Sequence, residues 1–147
     1  MKNHLYRTTI LMWALINLSC ESHLINGDLD GFWQVQTIEH LSSGNKTEGN
    51  NKFFYAFQRH IVQLTKHSSY GMEGMEAQYH AGFEWEQDSI TMGDFRIYDL
   101  FGCKTKAPMS ELKKFGLYEE YTAFHIELSK QKLILTSDSA CIVLRKY

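Results

Sequence analysis

The chain has 147 residues, with 15 Lys plus Arg, 17 Asp plus Glu and a formal net charge of −2. Acidic and basic residues are interspersed without a basic patch, so nucleic-acid binding is a poor interpretation. A single proline beside nine Phe and eight Tyr residues favours a β-rich body, because aromatic side chains prefer strands. This length predicts one domain that buries about two thirds of its unfolded surface, without the help of a metal or a disulfide framework.

Residues 1–19 are predicted to be an export signal that is not part of the fold. The stretch "MKNHLYR" carries Lys2 and Arg7 and no acidic residue, and the apolar stretch "TTILMWALINL" leads from it to Ser19. A basic head, a short apolar segment and a small residue before the cleavage site are typical of secretory signals. A membrane-spanning helix is the weaker interpretation, because spanning takes about 20 consecutive apolar residues.

Cys20 follows directly after this segment, in the sequence "INLSC". This sequence resembles the lipobox of bacterial lipoproteins, in which the cysteine after a small residue receives the lipid. The resemblance implies that Cys20 anchors the exported protein to a membrane of the bacterial cell envelope, since two or more acyl chains hold a protein stably. Residues 20–27 would then be a tether and residues 28–147 the folded domain. Cleavage after Ser19 by the ordinary signal peptidase is the alternative.

From Gly31 onward the chain is predicted to form short strands separated by turn residues. The predicted strands are, in chain order, "GFWQVQTIEH", "KFFYAFQ", "HIVQLTKH", "QYHAGFEWEQ", "SITMG", "DFRIYDLF", "TAFHIELS", "QKLILTS" and "CIVLRKY". The second and third of these are alternatively one long bent strand. "LSSGNKTEGNN" and "SSYGMEGME" are rich in Gly, Asn and Ser, and are predicted to be connections. One short helix is predicted near residues 110–115, with Ser110 as its N-cap and Gly116 at its end.

The stretch "QYHAGFEWEQ" has the clearest strand periodicity, with Tyr79, Ala81, Phe83 and Trp85 on one face. Eight or nine antiparallel strands in a chain of this size must close into a barrel or fold into a sandwich, because open edges invite association. Closure at about eight strands leaves room for side chains or one small ligand. An immunoglobulin-like sandwich is the alternative, for which we would expect more prolines and no Gly-x-Trp start.

Gly31 and Trp33 open the first predicted strand, and Arg145 lies in the last one, in "IVLRKY". This arrangement resembles the lipocalin and calycin superfamily and, more narrowly, the small lipocalin-like domains of bacterial envelope lipoproteins, over residues 28–147. The resemblance implies an all-β, antiparallel, eight-stranded barrel whose end is closed by Trp33 packed against Arg145. A guanidinium over an indole is stabilised by cation–π attraction, and a glycine lets the chain approach closely.

Six aromatic residues on the predicted strands are candidates to line a binding cavity. They are Tyr55, Phe57, Phe83, Trp85, Phe95 and Tyr98. Small-molecule pockets are mostly apolar with a few polar groups, so we expect capture of a small apolar or amphipathic molecule at the open barrel end. The alternative is that these side chains fill the barrel, and that loops around residues 41–51 and 67–77 contact another envelope protein or a glycan.

No motif in the sequence predicts an enzyme, a cofactor or a metal site. Four histidines lie in or beside predicted strands without HxH or HExxH spacing, and surface histidines are the better interpretation. They are His60, His67, His80 and His125. Cys103 and Cys141 are a possible disulfide in an oxidising compartment, although a strand cysteine such as Cys141 is commonly a small buried hydrophobe.

Overall fold

The computed structural model describes residues 25–67, 78–98 and 104–147. The predicted export signal, Cys20, nearly all of the predicted 67–77 loop and Cys103 lie outside these residues. The described part forms ten strands: β1 (Gly31–His40), β2 (Asn45–Glu48), β3 (Phe53–Gln58), β4 (Ile61–Lys66), β5 (Gln78–Glu86), β6 (Ser89–Tyr98), β7 (Lys104–Lys106), β8 (Tyr121–Leu128), β9 (Lys132–Thr136) and β10 (Ala140–Lys146). A 3-10 turn at Gly27–Leu29 precedes β1. Helix α1 (Met109–Leu112) continues as a second 3-10 turn at Lys113–Phe115.

Eight of these strands close into an antiparallel barrel. Neighbours are hydrogen-bonded in the order β10–β9–β8–β6–β5–β4–β3–β1, and β1 also pairs with β10. Trp33 of β1 lies opposite Tyr55 on one side and opposite Lys146 on the other, which completes the ring. The predicted all-β, eight-stranded antiparallel barrel is confirmed, and closure removes the free edges that an open sheet would expose.

The two remaining strands, β2 and β7, pair with the second halves of the long strands β1 and β6. The first half of β1 pairs with β3, and its second half, from Thr37 to His40, pairs with β2. In the same way β6 pairs with β8 through its first half and with β7 through Arg96–Tyr98. Part of "LSSGNKTEGNN", predicted as a loop, is therefore a strand, because the backbone groups of β1 beyond β3 need hydrogen-bond partners.

The stretches "SITMG" and "DFRIYDLF", predicted as separate strands, belong to one continuous strand, β6, which carries a bulge at Asp94. Asp94 has a φ of +54°. The register with β5 shifts between the pairs His80–Arg96 and Gly82–Gly93, which leaves one extra residue on β6. A bulge of this kind bends a strand and re-aims its side chains. Alternation from the buried Met92 would put Asp94 inside the barrel and Phe95 outside, whereas the extra residue puts Phe95 in the core.

Alternation along the strands puts one apolar face of each inside the barrel. In β8 the residues Thr122, Phe124 and Ile126 are buried, and those between them are exposed. The largest side chains with almost no exposed surface include Trp33 and Tyr55. The interior of the barrel is thus a packed hydrophobic core built from the alternate residues of all eight strands.

Helix α1 and the turn after it cover one end of the barrel. Phe115 is buried, and its carbonyl oxygen accepts a hydrogen bond from the Tyr55 hydroxyl at 2.7 Å. The helix begins after Pro108, without a side-chain cap, so Ser110 is not the N-cap that the sequence predicted. Proline is well suited to a helix start because its missing N–H would have no partner there. Gly116, with a φ of +89°, ends the helical segment as predicted. No helix within the described ranges is long and apolar enough to cross a membrane.

Candidate functional site

Trp33 fills the end of the barrel at which β1 begins, which we call the Trp33 end. Its indole is fully buried, and Nε1–H donates a hydrogen bond to the Leu29 carbonyl oxygen at 2.7 Å. Leu29 belongs to the first 3-10 turn and is itself fully buried. The Asp30 carboxylate accepts hydrogen bonds from the backbone N–H of Asn26 at 3.1 Å and from its side-chain amide at 2.6 Å. These contacts fix the turn across this end of the barrel.

The cation that lies over the Trp33 indole is Lys146, whereas the sequence analysis named Arg145. Lys146 Nζ lies 4.5 Å from the ring centroid. Directly paired residues on neighbouring strands point to the same face, and Trp33 pairs with Lys146 while Gln34 pairs with Arg145. Arg145 is therefore exposed on the outer face, where its guanidinium donates to the Gln34 side-chain oxygen at 3.2 Å.

Gly31 provides the space that the Lys146 side chain occupies. Gly31 has a φ of +119°, and a Cβ there would lie 3.3 Å from both Cε and Nζ of Lys146. Lys146 Nζ donates to the carbonyl oxygens of Asp28 at 2.7 Å and Asp30 at 2.5 Å. Desolvation lowers the pKa of Lys146, while the charges of Asp28 and Asp30 act to raise it. The lysine thus ties the last strand to the turn that precedes the first.

Four of the six predicted lining residues lie in the packed interior, namely Tyr55, Phe57, Phe83 and Phe95. Trp85 is only half-buried, and the side chain of Tyr98 lies outside what the structure describes. The rings of Phe57 and Phe83 meet edge to face with centroids 5.4 Å apart, and Tyr55 stacks on Phe57 at 6.1 Å. Burial raises the pKa of the Tyr55 hydroxyl far above its usual range. The four buried side chains therefore contribute to the core of the barrel.

An open cleft of about 800 Å³ lies at the Trp33 end, beside Trp85. Phe83, Trp85 and Leu128 form its apolar wall, and residues 25–28 line it as well. The Trp85 Nε1–H donates to the carbonyl oxygen of Gln87 at 2.9 Å, which orients the indole. We call this cavity the Trp85 cleft.

Residues 25–28 were not predicted to line a site, because the sequence pattern placed them mainly in the tether. The dipeptide Asn26–Gly27 is itself a turn signal. That signal, three residues before the Gly-x-Trp, could have indicated that the fold begins earlier. Leu128 was also missed, and no local pattern distinguishes it from the core residues of the same strand.

The polar residues that line the Trp85 cleft are mostly acidic. Asp28, Glu84 and Glu86 line it together with His60, and none of the described lining residues is a lysine or an arginine. Glu84 and Glu86 alternate with Phe83 and Trp85 along β5, so their carboxylates lie on the exposed face of the sheet, opposite the aromatic rings. The arrangement suits a molecule with one apolar part and one polar part that carries no negative charge.

Other candidate groups do not gather into a second site. Within the described residues, no three or more His, Cys, Asp or Glu side chains are placed to hold a metal. His125 lies 3.6 Å from Asp88 on the exposed surface, and desolvation lowers the pKa of His80. Cys141 is half-buried on β10, but its predicted partner, Cys103, lies outside the described residues, so the disulfide stays a prediction.

The chain is similar to lipocalin-like proteins in sequence and in fold. Residues 13–147 match a family whose description is lipocalin-like domain. The crystal structure of a lipocalin-like protein from Bacteroides uniformis aligns with a TM-score of 0.60 at 19% identity, covering 82% of this chain and 100% of that one. The crystal structure of an uncharacterized protein from Bacteroides eggerthii aligns with a TM-score of 0.60 at 18% identity, covering 81% of this chain and 99% of that one. At this identity the two structures establish likeness of fold. No curated protein matches the chain.

Proposed function

Since the chain belongs to the lipocalin-like domain family, we propose that it is a lipid-anchored binding module of the bacterial cell envelope. It captures a small apolar or amphipathic molecule without covalent chemistry. The family is in general a binding scaffold rather than an enzyme, which supports the ligand-binding part of the proposal. The export signal and the cysteine of "INLSC" support the anchor.

The observation that carries the proposal is the Trp85 cleft. Its volume of about 800 Å³ lies within the range of about 300–1,000 Å³ that is usual for small-molecule sites. The apolar wall of Phe83, Trp85 and Leu128 would hold the apolar part of a ligand. The polar part of the ligand would lie towards the other polar residues of the cleft, which include Asp28 and His60. The ligand site is therefore at the Trp33 end of the barrel and not among the buried aromatic side chains of the core.

A second candidate function is an interaction protein, and the packed interior favours it. The barrel is filled by side chains such as Trp33, Tyr55 and Phe124, each with no exposed surface. In this alternative the Trp85 cleft stays empty and the surface loops contact another envelope protein or a glycan. The two functions differ in whether a small molecule binds at Trp85.

Tryptophan emission distinguishes the two functions. Trp33 is fully buried, whereas Trp85 is half-buried beside the cleft, so an entering ligand changes the surroundings of Trp85. Titration with fatty acids, sterol-like molecules, long-chain amines and porphyrins should shift or quench the emission saturably with at least one of them. Trp85→Phe should lose the signal.

A matched pair of variants tests the location of the ligand. Leu128→Ala, in the cleft wall, should weaken the affinity. Ile134→Ala is the control, since Ile134 is also half-buried but does not line the cleft. No saturable response to any ligand class, or equal effects of the two variants, would move the proposal to the interaction protein.

The anchor is tested separately. Full-length protein expressed in a bacterial host should incorporate labelled fatty acid and fractionate with membranes. Cys20→Ala should abolish both, because it removes the thiol that receives the lipid. A wild-type protein without label would refute the anchor and leave the ligand-binding proposal intact.

A further inference from the structure

The described chain begins at the same barrel end as the Trp85 cleft. Asn26 is fastened there, since its side-chain amide donates to the Arg59 carbonyl oxygen in the β3–β4 turn at 2.6 Å. Ile25 and Asn26 line the cleft itself. A group attached shortly before Ile25 is therefore held near the mouth of the cleft.

The chain between the proposed anchor and the fold is short. Cys20 precedes Ile25 by five residues, which span at most about 18 Å when fully extended at about 3.6 Å per residue. The barrel strands are longer than this reach. For example, the ends of β1 are about 30 Å apart at about 3.3 Å per residue. An anchor at Cys20 therefore keeps the Trp33 end near the membrane. With the barrel axis perpendicular to the membrane, the opposite end of the barrel cannot be the one that contacts the lipid.

Exposed apolar side chains are concentrated at the same end. Four of the six large apolar side chains that are exposed in the described residues lie at the Trp33 end. They are Ile25 (59% exposed), Phe32 (56%), Ile61 (53%) and Tyr147 (79%). Phe32 and Tyr147 are adjacent, since the backbone N–H of Tyr147 donates to the Phe32 carbonyl oxygen at 2.9 Å. Leu41, in contrast, lies just beyond the far end of β1 and is 43% exposed.

From the tether length and these exposed side chains we infer that the Trp33 end rests on the lipid surface when Cys20 is acylated, with the Trp85 cleft opening towards the bilayer. This inference depends on the anchor in the proposed function. Aromatic and aliphatic side chains are stabilised at a bilayer interface, and exposed ones such as Phe32 and Ile25 would gain that stabilisation there. The ligand class that follows is an amphiphile that reaches the cleft from the membrane.

A pair of tryptophan reporters, one near each end of β1, tests this orientation. Phe32→Trp and Leu41→Trp are each introduced into full-length protein that also carries Trp85→Phe. Both positions are exposed, and they lie about 30 Å apart along the strand at about 3.3 Å per residue. The acylated proteins are reconstituted into phosphatidylcholine vesicles with and without brominated acyl chains, which quench only nearby indoles. The Trp85→Phe parent supplies the emission of Trp33, which is subtracted.

We expect the emission at position 32 to be quenched several-fold more than that at position 41. The protein that retains Trp85 should be quenched more than its Trp85→Phe variant. Equal quenching at positions 32 and 41, stronger quenching at 41 or no quenching at either would overturn the orientation. Intact-mass measurement before reconstitution separates the failures: an unacylated protein refutes the anchor and this inference with it, whereas an acylated protein with the wrong quenching pattern refutes the orientation alone.

Discussion

Replacing Trp33 by alanine tests whether the Trp33 end is held by its indole. A tryptophan buries about 150–250 Å² of surface, which at about 25 cal/mol/Å² corresponds to about 4–6 kcal/mol. An alanine side chain keeps a small part of this stabilisation, and partial collapse of the surrounding side chains into the cavity recovers some more. The expected loss in the free energy of unfolding is therefore about 3–5 kcal/mol. The Leu29 carbonyl oxygen, which accepts the indole N–H at 2.7 Å, would also lose its partner. Such a loss is a large share of the about 5–15 kcal/mol that usually stabilises a domain.

Urea denaturation followed by far-ultraviolet circular dichroism measures this loss without relying on tryptophan emission. For a slope of about 2 kcal/mol/M, the midpoint should fall by about 2 M. Trp85→Ala is the matched control, and should cost less than half as much because Trp85 is half-buried. Trp33→Phe should fall between wild type and Trp33→Ala, since it keeps an aromatic ring but removes the N–H donor. A loss below about 1 kcal/mol for Trp33→Ala would show that the packing of Trp33 does not hold this end together.

Two further perturbations test individual features of the fold. Gly31→Ala should lower the free energy of unfolding by about 1–3 kcal/mol, because its φ of +119° is strained for any side chain. Gly44→Ala is the control, and it should cost less in the same urea titration because Gly44 has a φ of +67° with open space around it. Equal losses of stability in the two variants would refute the argument. Burial lowers the pKa of His80 below its ordinary 6.5, so the unfolded state takes up its proton first and stability is lost as the pH falls from about 7 through the folded pKa. In thermal melts, His80→Gln should therefore lose less stability than the wild type between about pH 7 and pH 5. The same fall in melting temperature for both proteins would contradict this prediction.

The sequence by itself determined the strands of the barrel and the apolar face of most of them, although not β2, β7 or the continuity of β6. Alternation of side chains is a property of a single strand, so Tyr79, Ala81 and Phe83 could be assigned to one face without knowledge of the neighbours. The stop of the helical segment at Gly116 was also predictable, because only the local backbone conformation decides it. The number of strands allowed a barrel or a sandwich, and the closed barrel was implied by the family resemblance that Gly31 and Trp33 carry.

Only the tertiary structure decided which side chains meet across strands. The pairing of β1 with β10 puts Lys146, and not Arg145, over Trp33, because a register shift of one residue moves every side chain of a strand to the other face. Trp85 has the parity of a core residue, but it lies close to the end of β5 and is only half-buried. It lines one cleft together with Ile25 and Leu128, which are far from it in the sequence. Local patterns fix the direction of a side chain relative to its own strand, whereas contacts between distant segments depend on register, bulges and closure, which the whole chain sets together.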